Sequence, residues 1–201
     1  MGIAGYRRAM DDLIIVGGGP AGASAAVFAA RAGLRTVVID DDKGMTRRAM
    51  VYNHLGFPDG ITGPELVDLG RRHAEKAGAT WVEGTVERIE ASDAGVAVTT
   101  ADGTRHEAKD LILAVGLKAS LAEAAGIETR EGTEPRIPSV VAVDADGRTS
   151  APHVWAAGTA GGVSVHTIIT AGDGARVAIN VISEQRGERW VDHDILPAPQ
   201  S

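Results

Sequence analysis

Gly17, Gly19 and Gly22 carry the spacing G-x-G-x-x-G, and an acid, Asp40, follows about twenty residues on. Each glycine has a separate task in phosphate chemistry. Gly17 permits a tight turn, Gly19 lets the backbone approach a pyrophosphate, and Gly22 lets a helix lie close on its strand. A carboxylate at position 40 would take the hydroxyls of an adenosine ribose. Glycine-rich turns are common, so the context decides. Here the turn sits between an apolar run, Leu13 to Val16, and an alanine-rich helix that Gly33 stops, and Val37-Val38-Ile39 leads into Asp40. A helix N-terminus offers free N–H groups and partial positive charge to a phosphate. This unit predicts an adenine dinucleotide site and leaves FAD and NAD(P) open.

Other residue types bear on chemistry less directly. His54 follows Asn53 in a loop, and His166 opens a long helix, so each imidazole is a candidate proton relay. Tyr52 is placed to stack on a ring or to fill a core. Arg47-Arg48 suit an anion or a solvated surface. His153 and Trp155 alternate on an apolar strand and read as core. The 201 residues contain no cysteine, which leaves this sequence no disulfide, no thiolate metal site and no Cys-x-x-Cys. A net charge of −7 argues against nucleic acid and anionic membranes as partners. With 44% hydrophobic residues the chain can bury an ordinary core, and with no run long enough to span a bilayer and no signal-peptide pattern the sequence predicts a cytoplasmic protein.

The elements that must position these groups follow in order. Residues 1–11 read as a loose leader and Asp41 to Arg48 as a charged connector. Val51 to Leu66 is rich in Gly and Pro, an ordered loop that ends at Thr62 or Gly63 capping a helix to about Lys76, with Gly78 beyond it. Thr80 to Val82 is a strand. Val86 to Glu90, Val96 to Thr100 and Arg105 to Ala108 alternate and predict a small antiparallel meander. Asp110 to Gly116 reads as a further buried strand. Lys118 to Arg136 is helical and then irregular, and Val140 to Val143 with Asp146-Gly147 predicts a hairpin. His153 to Gly158 is a last buried strand before a helix from Thr167 to Glu184, and residues 185–201 read as a flexible arm. No second G-x-G-x-x-G occurs.

This order, with Asn53-x-x-Gly-Phe-Pro in the loop, Leu-Ile-Leu-Ala-x-Gly at 111–116 and Ala-Ala-Gly at 156–158, resembles the FAD domain of thioredoxin reductases, in the pyridine-nucleotide–disulfide oxidoreductase family. The resemblance runs from Asp12 to about Glu184. It implies an α/β fold: one Rossmann-like FAD-binding domain over 12–184 with a central parallel sheet, a small antiparallel meander and a C-terminal flavin-facing helix. By position, Gly17, Gly19, Pro20, Ala21 and Gly22 would cradle the pyrophosphate and Asp40 the ribose. Asn53 would face the isoalloxazine. Gly158 and Thr159 would approach the ribityl chain and phosphates, and His166, Thr167 and Ile168 the flavin N1/O2 edge, with Gly116 a further cofactor-binding position. A helix N-terminus suits that edge, where the reduced ring is anionic. The family also pairs into homodimers.

Three departures qualify the resemblance. The family's NADPH domain would be inserted near 116–118, where this chain continues at once. The Cys-x-x-Cys carried by that domain is missing, and the usual Gly-Asp after the Ala-Ala strand is Gly158-Thr159. Two functions follow. One is an FAD-dependent oxidoreductase whose donor, NAD(P)H or a redox protein, reaches the flavin directly. The other is a non-catalytic FAD-bound carrier or regulatory protein. An NAD-binding protein is the weaker reading, since the meander and the Gly158 strand would serve no purpose there. No metal site is predicted, and neither histidine is assigned a catalytic role outright.

Overall fold

The apolar run that opens the glycine unit forms the centre of the sheet. The computed structural model describes residues 10–194 and 196. β1 (Asp11–Val16) lies between two parallel neighbours, β2 (Thr36–Asp40) and β8 (Arg105–Leu113), and its last four residues are buried because both faces are covered. β5 (Thr80–Glu83) extends the sheet beyond β2. On the other side β7 (Gly95–Thr100) and β6 (Val86–Ser92) follow antiparallel, giving the order β5-β2-β1-β8-β7-β6, with β11 (Val154–Ala156) also paired to β8. The predicted α/β fold with a parallel centre and an antiparallel meander is present.

Two strands expected around Ala108 and Asp110 are one. β8 pairs antiparallel with β7 through Arg105–Ala108 and parallel with β11 through Leu111–Leu113, while β1 lines its other edge. Its residues alternate in burial and then are buried without interruption. The change of pattern marks where cover begins on the second face, not a break in the strand.

Helices α1 (Pro20–Arg31), α2 (Gly63–Ala77) and α4 (Thr167–Arg186) cover one face, where Ala21, Ala25, Val177 and Ala178 pack on Leu13, Ile15 and Ile112. The meander and the short α3 (Ser120–Ala124) cover the other, with Ala122 and Ile127 against Leu111 and Leu113. α1 and α4 cross closely. A Cβ on Gly174 would lie 2.0 Å from the Ala21 carbonyl oxygen. α2 starts at a capping box of Thr62 and Glu65 and stops at Gly78 in a left-handed conformation, as its sequence predicts.

Other details differ from the sequence reading. The loop before α2 contains a tiny hairpin of β3 (Met50–Val51) and β4 (Ile61–Thr62). The stretch expected to be irregular before Arg136 includes β9 (Thr129–Glu131). It pairs with β10 (Ser139–Val141), so this hairpin joins upstream residues and not those after Asp146-Gly147. His153 is partly exposed with φ 60°, while Trp155 is buried as expected. The first part of the expected arm is docked. Trp190 stands edge-on to Phe28 at 6.4 Å, and Arg31 holds Asp192 through two bonds of 2.6 and 2.8 Å and Asp194 at 2.7 Å. Most of the predicted leader lies outside the described residues.

Candidate functional site

The three glycines of the turn differ in what surrounds them. Gly17 has φ 101°, and a Cβ there would lie 2.4 Å from the carbonyl oxygen of Ala114, the residue after β8. A Cβ on Gly22 would lie 1.8 Å from the Gly17 carbonyl oxygen, so that glycine is required for the helix to sit down on the turn. Gly19 is the opposite case, with nothing within 4 Å of its Cβ direction. It is the N-cap of α1, where no side chain caps the helix, Pro20 holds the first position and no acid stands in the first turn. Backbone N–H groups at this end therefore face an open approach, the condition for receiving an anion.

Asp40 ends β2 beside the turn and accepts the Gly18 N–H at 2.8 Å through Oδ1. Burial pushes its carboxyl above the usual value. The Gly18 bond works against that shift, and the neighbouring Asp41 and Asp42 add to it. Next to it opens a cavity of about 240 Å³ bordered by Arg47, Arg71, Trp81, Gly84 and Thr85. Arg47 is held by Asp42 and Asp68 at 2.5 and 2.7 Å, and the Arg71 guanidinium lies 5.6 Å over the Trp81 ring.

The other end of the site is built on α4. Gly158, with φ 68°, starts a 3-10 turn over Gly158–Gly161, and its N–H donates to Asp173 Oδ2 at 2.7 Å. A Cβ on Gly158 would lie 2.7 Å from the Ala21 side chain, so this turn adjoins the start of α1. Thr159 beside it is buried. His54 Nδ1 lies 2.9 Å from Thr167 Oγ1, which ties the Asn53 loop to the first turn of α4. Burial holds the His54 imidazole below its ordinary value of 6.5, which favours the neutral ring. His166 is the N-cap of α4, exposed, with Nδ1 2.8 Å from Ser164 Oγ. No side chain caps α4 and no acid stands in its first turn.

The structure thus brings together Gly17, Gly19, Pro20, Ala21, Gly22 and Asp40, with Gly158 and Thr159 adjoining through Ala21, and separately His54 with Thr167. Asn53 and Ile168 are exposed, and Gly116 has φ 60° with open space at its Cβ. No hydrogen bond joins the two histidines. Sequence reasoning missed Trp81, Arg71 and Asp173. For Asp173 a signal existed, since an acid between two glycines is a poor choice for a helix interior unless its carboxylate has a buried partner. Among the described residues no group of histidines and acids is arranged to hold a metal ion.

Known proteins share this fold. The solved thioredoxin reductase from Gloeobacter violaceus superposes with a TM-score of 0.79 at 18% identity, over 93% of this chain and 99% of that one. The atypical thioredoxin reductase TRi from Desulfovibrio vulgaris Hildenborough gives 0.73 at 21%, over 89% and 99%. Among curated proteins, a thioredoxin reductase of Streptomyces coelicolor is 38% identical over 109 residues, 52% of this chain and 34% of its own length. One of Rickettsia bellii is 36% identical over 110 residues, 53% and 36%. The match thus spans about a third of these relatives. Residues 12–60 match the FAD dependent oxidoreductase model, and 59–175 match that of the pyridine nucleotide-disulphide oxidoreductases. The chain belongs to the pyridine nucleotide-disulphide oxidoreductase family, and its fold is that of a thioredoxin reductase FAD domain.

Proposed function

We propose that this chain binds FAD and works as a thioredoxin reductase-like oxidoreductase without a redox disulfide of its own, its donor reaching the flavin directly or through a partner protein. The observation that carries this reading is the open, uncapped start of α1 at Gly19, bounded by the Asp40 cavity at one end and by Gly158 and the start of α4 at the other. The residues fit the cofactor. Gly17 to Gly22 would hold the pyrophosphate, Asp40 the ribose, and the cavity beside Trp81 the adenine. Gly158, Thr159 and the α4 N-terminus would receive the flavin half. Bound FAD supplies acceptance of a hydride and onward delivery of its electrons.

The chain's own groups would set the site for that chemistry. The α4 N-terminus favours negative charge, and Asp173 fixes the Gly158 turn. His54, neutral and held at Nδ1, keeps Nε2 for proton exchange, while the exposed His166 is placed to donate a hydrogen bond. Only residues 114–119 separate β8 from α3, so we place the missing NADPH domain at this connection and read 12–184 as one FAD domain. On this reading the donor comes from outside the FAD domain. The name of one relative, the NADPH-dependent thioredoxin reductase 3 of Arabidopsis thaliana, 35% identical over 117 residues, makes NADPH the first donor to try. Exposed Tyr52, Leu55, Val165 and Ile169 surround this end and support a partner protein or a homodimer. No helix among the described residues is long and apolar enough to cross a membrane.

An anaerobic titration with NADPH and NADH, followed through the flavin absorbance, tests the proposal. Rapid bleaching is expected. A yellow protein that dithionite reduces but neither nucleotide does would establish the carrier reading, which the absence of a second glycine-rich nucleotide turn favours. A protein that takes up no FAD overturns both.

A further inference from the structure

One ion pair spans the site from flank to flank. Lys118 Nζ lies 2.5 Å from Asp41 Oδ2. Asp41 follows β2 and Lys118 follows β8, and these two strands flank β1, so the pair crosses the end of β1, where the chain turns through Gly17 to Gly19. The chain leaves β1 for α1 on one face of the sheet and leaves β8 for α3 on the other. This is a topological switch point, the crevice in which open α/β sheets bind ligands. Lys118 is held there by a short turn, its N–H donating to the Val115 carbonyl at 3.2 Å.

The charges around this crevice call for a cation. Asp40, Asp41 and Asp42 stand on its β2 side, and a pyrophosphate would add about two more negative charges beside them. The partial charge of the α1 N-terminus, roughly half an elementary charge, is small against that sum. Of the other cations nearby, Arg47 is committed to Asp42 and Asp68 and Arg71 to Glu75 and Glu83, while Lys43 stands on the β2 side itself and does not cross the crevice. Lys118 is half-exposed and has a single carboxylate partner, which leaves further N–H donors free to turn toward an anion. Burial alone would push the Asp41 carboxyl up. The bonds from Lys118 and the Lys43 N–H outweigh it and hold the group below the usual carboxylate value, so the partner stays charged.

We propose that Lys118 is a binding residue for the cofactor's pyrophosphate, stationed over the glycine turn by Asp41 and free to reach the phosphates when the dinucleotide enters. The proposal rests on the FAD reading and adds a residue to it. The pair would bridge the crevice before binding, and its ammonium would then neutralise part of the pyrophosphate from the side opposite α1.

The test is calorimetric titration of the full chain, freed of flavin, with FAD, ADP and adenosine. ADP carries the diphosphate and adenosine does not. Lys118→Ala is expected to weaken FAD and ADP by about tenfold or more while adenosine binding stays as in the wild type. Lys118→Arg, which keeps the charge, retains most of the affinity. Added salt erodes the preference for ADP over adenosine more steeply in the wild type than in Lys118→Ala. Undiminished ADP binding by Lys118→Ala, or an equal loss of ADP and adenosine, overturns the role of Lys118 and leaves the FAD reading standing. A wild-type chain that binds neither FAD nor ADP overturns both.

Discussion

At the scale of single residues, Gly19 and Gly22 separate binding from folding. Gly19→Val adds a side chain into open space, so the variant should fold with near-normal thermal stability and purify without flavin colour. Gly22→Val drives a side chain into the Gly17 carbonyl and should fail to fold, as read by circular dichroism. A yellow Gly19→Val protein would remove the phosphate placement. His166→Ala should lower the flavin reduction potential by on the order of 10–30 mV, the equivalent of one neutral hydrogen bond in a two-electron couple. An unchanged potential returns His166 to a solvent-facing cap. His54 governs a pH dependence. Its folded-state value lies below 6.5, so below that pH the unfolded chain takes up the proton more readily and the fold loses stability as pH falls toward the folded value. His54→Gln should flatten that part of the melting-temperature profile. The glycines were legible because backbone constraint is written locally. The ion pair of Asp41 and Lys118 was not, because its partners meet only through the sheet order.

Among the elements, the crossing of α1 and α4 connects packing to the site. Gly174 touches Ala21, and Ala21 belongs to the first turn of the helix that would face the pyrophosphate. Gly174→Ala should therefore cost about 1–3 kcal/mol in denaturant unfolding and also weaken FAD binding. A stability loss with unchanged flavin affinity would show that the helix N-terminus does not follow the crossing. Local signals made several elements readable: the Thr62 and Glu65 cap, Gly78, and the alanine-rich α1. The β9–β10 hairpin was missed because the apolar run at Val140 is equally compatible with a partner on either side, and pairing is decided by tertiary contact. The split of β8 into two strands arose because a change in burial pattern looks like an end when only one face is considered.

For the whole molecule, the docked segment near Trp190 and Asp192 shows why composition alone overstated the looseness of the C-terminal arm. Its contacts are with Phe28 and Arg31, more than 160 positions earlier. Fold class was legible across residues 12–184, because the order of turn, loop, meander and helix is written in local signals along the whole stretch. β8 has the longest reach of any strand here, since it is hydrogen-bonded to the meander at one end and caged by β1 and β11 at the other. Amide exchange should expose that inequality. The meander can detach as a local opening and release protons from Arg105 to Ala108, whereas Leu111 to Leu113 can exchange only when the entire nucleotide sheet comes apart. One strand would then carry two clocks, and the slow one would report the global stability of the molecule.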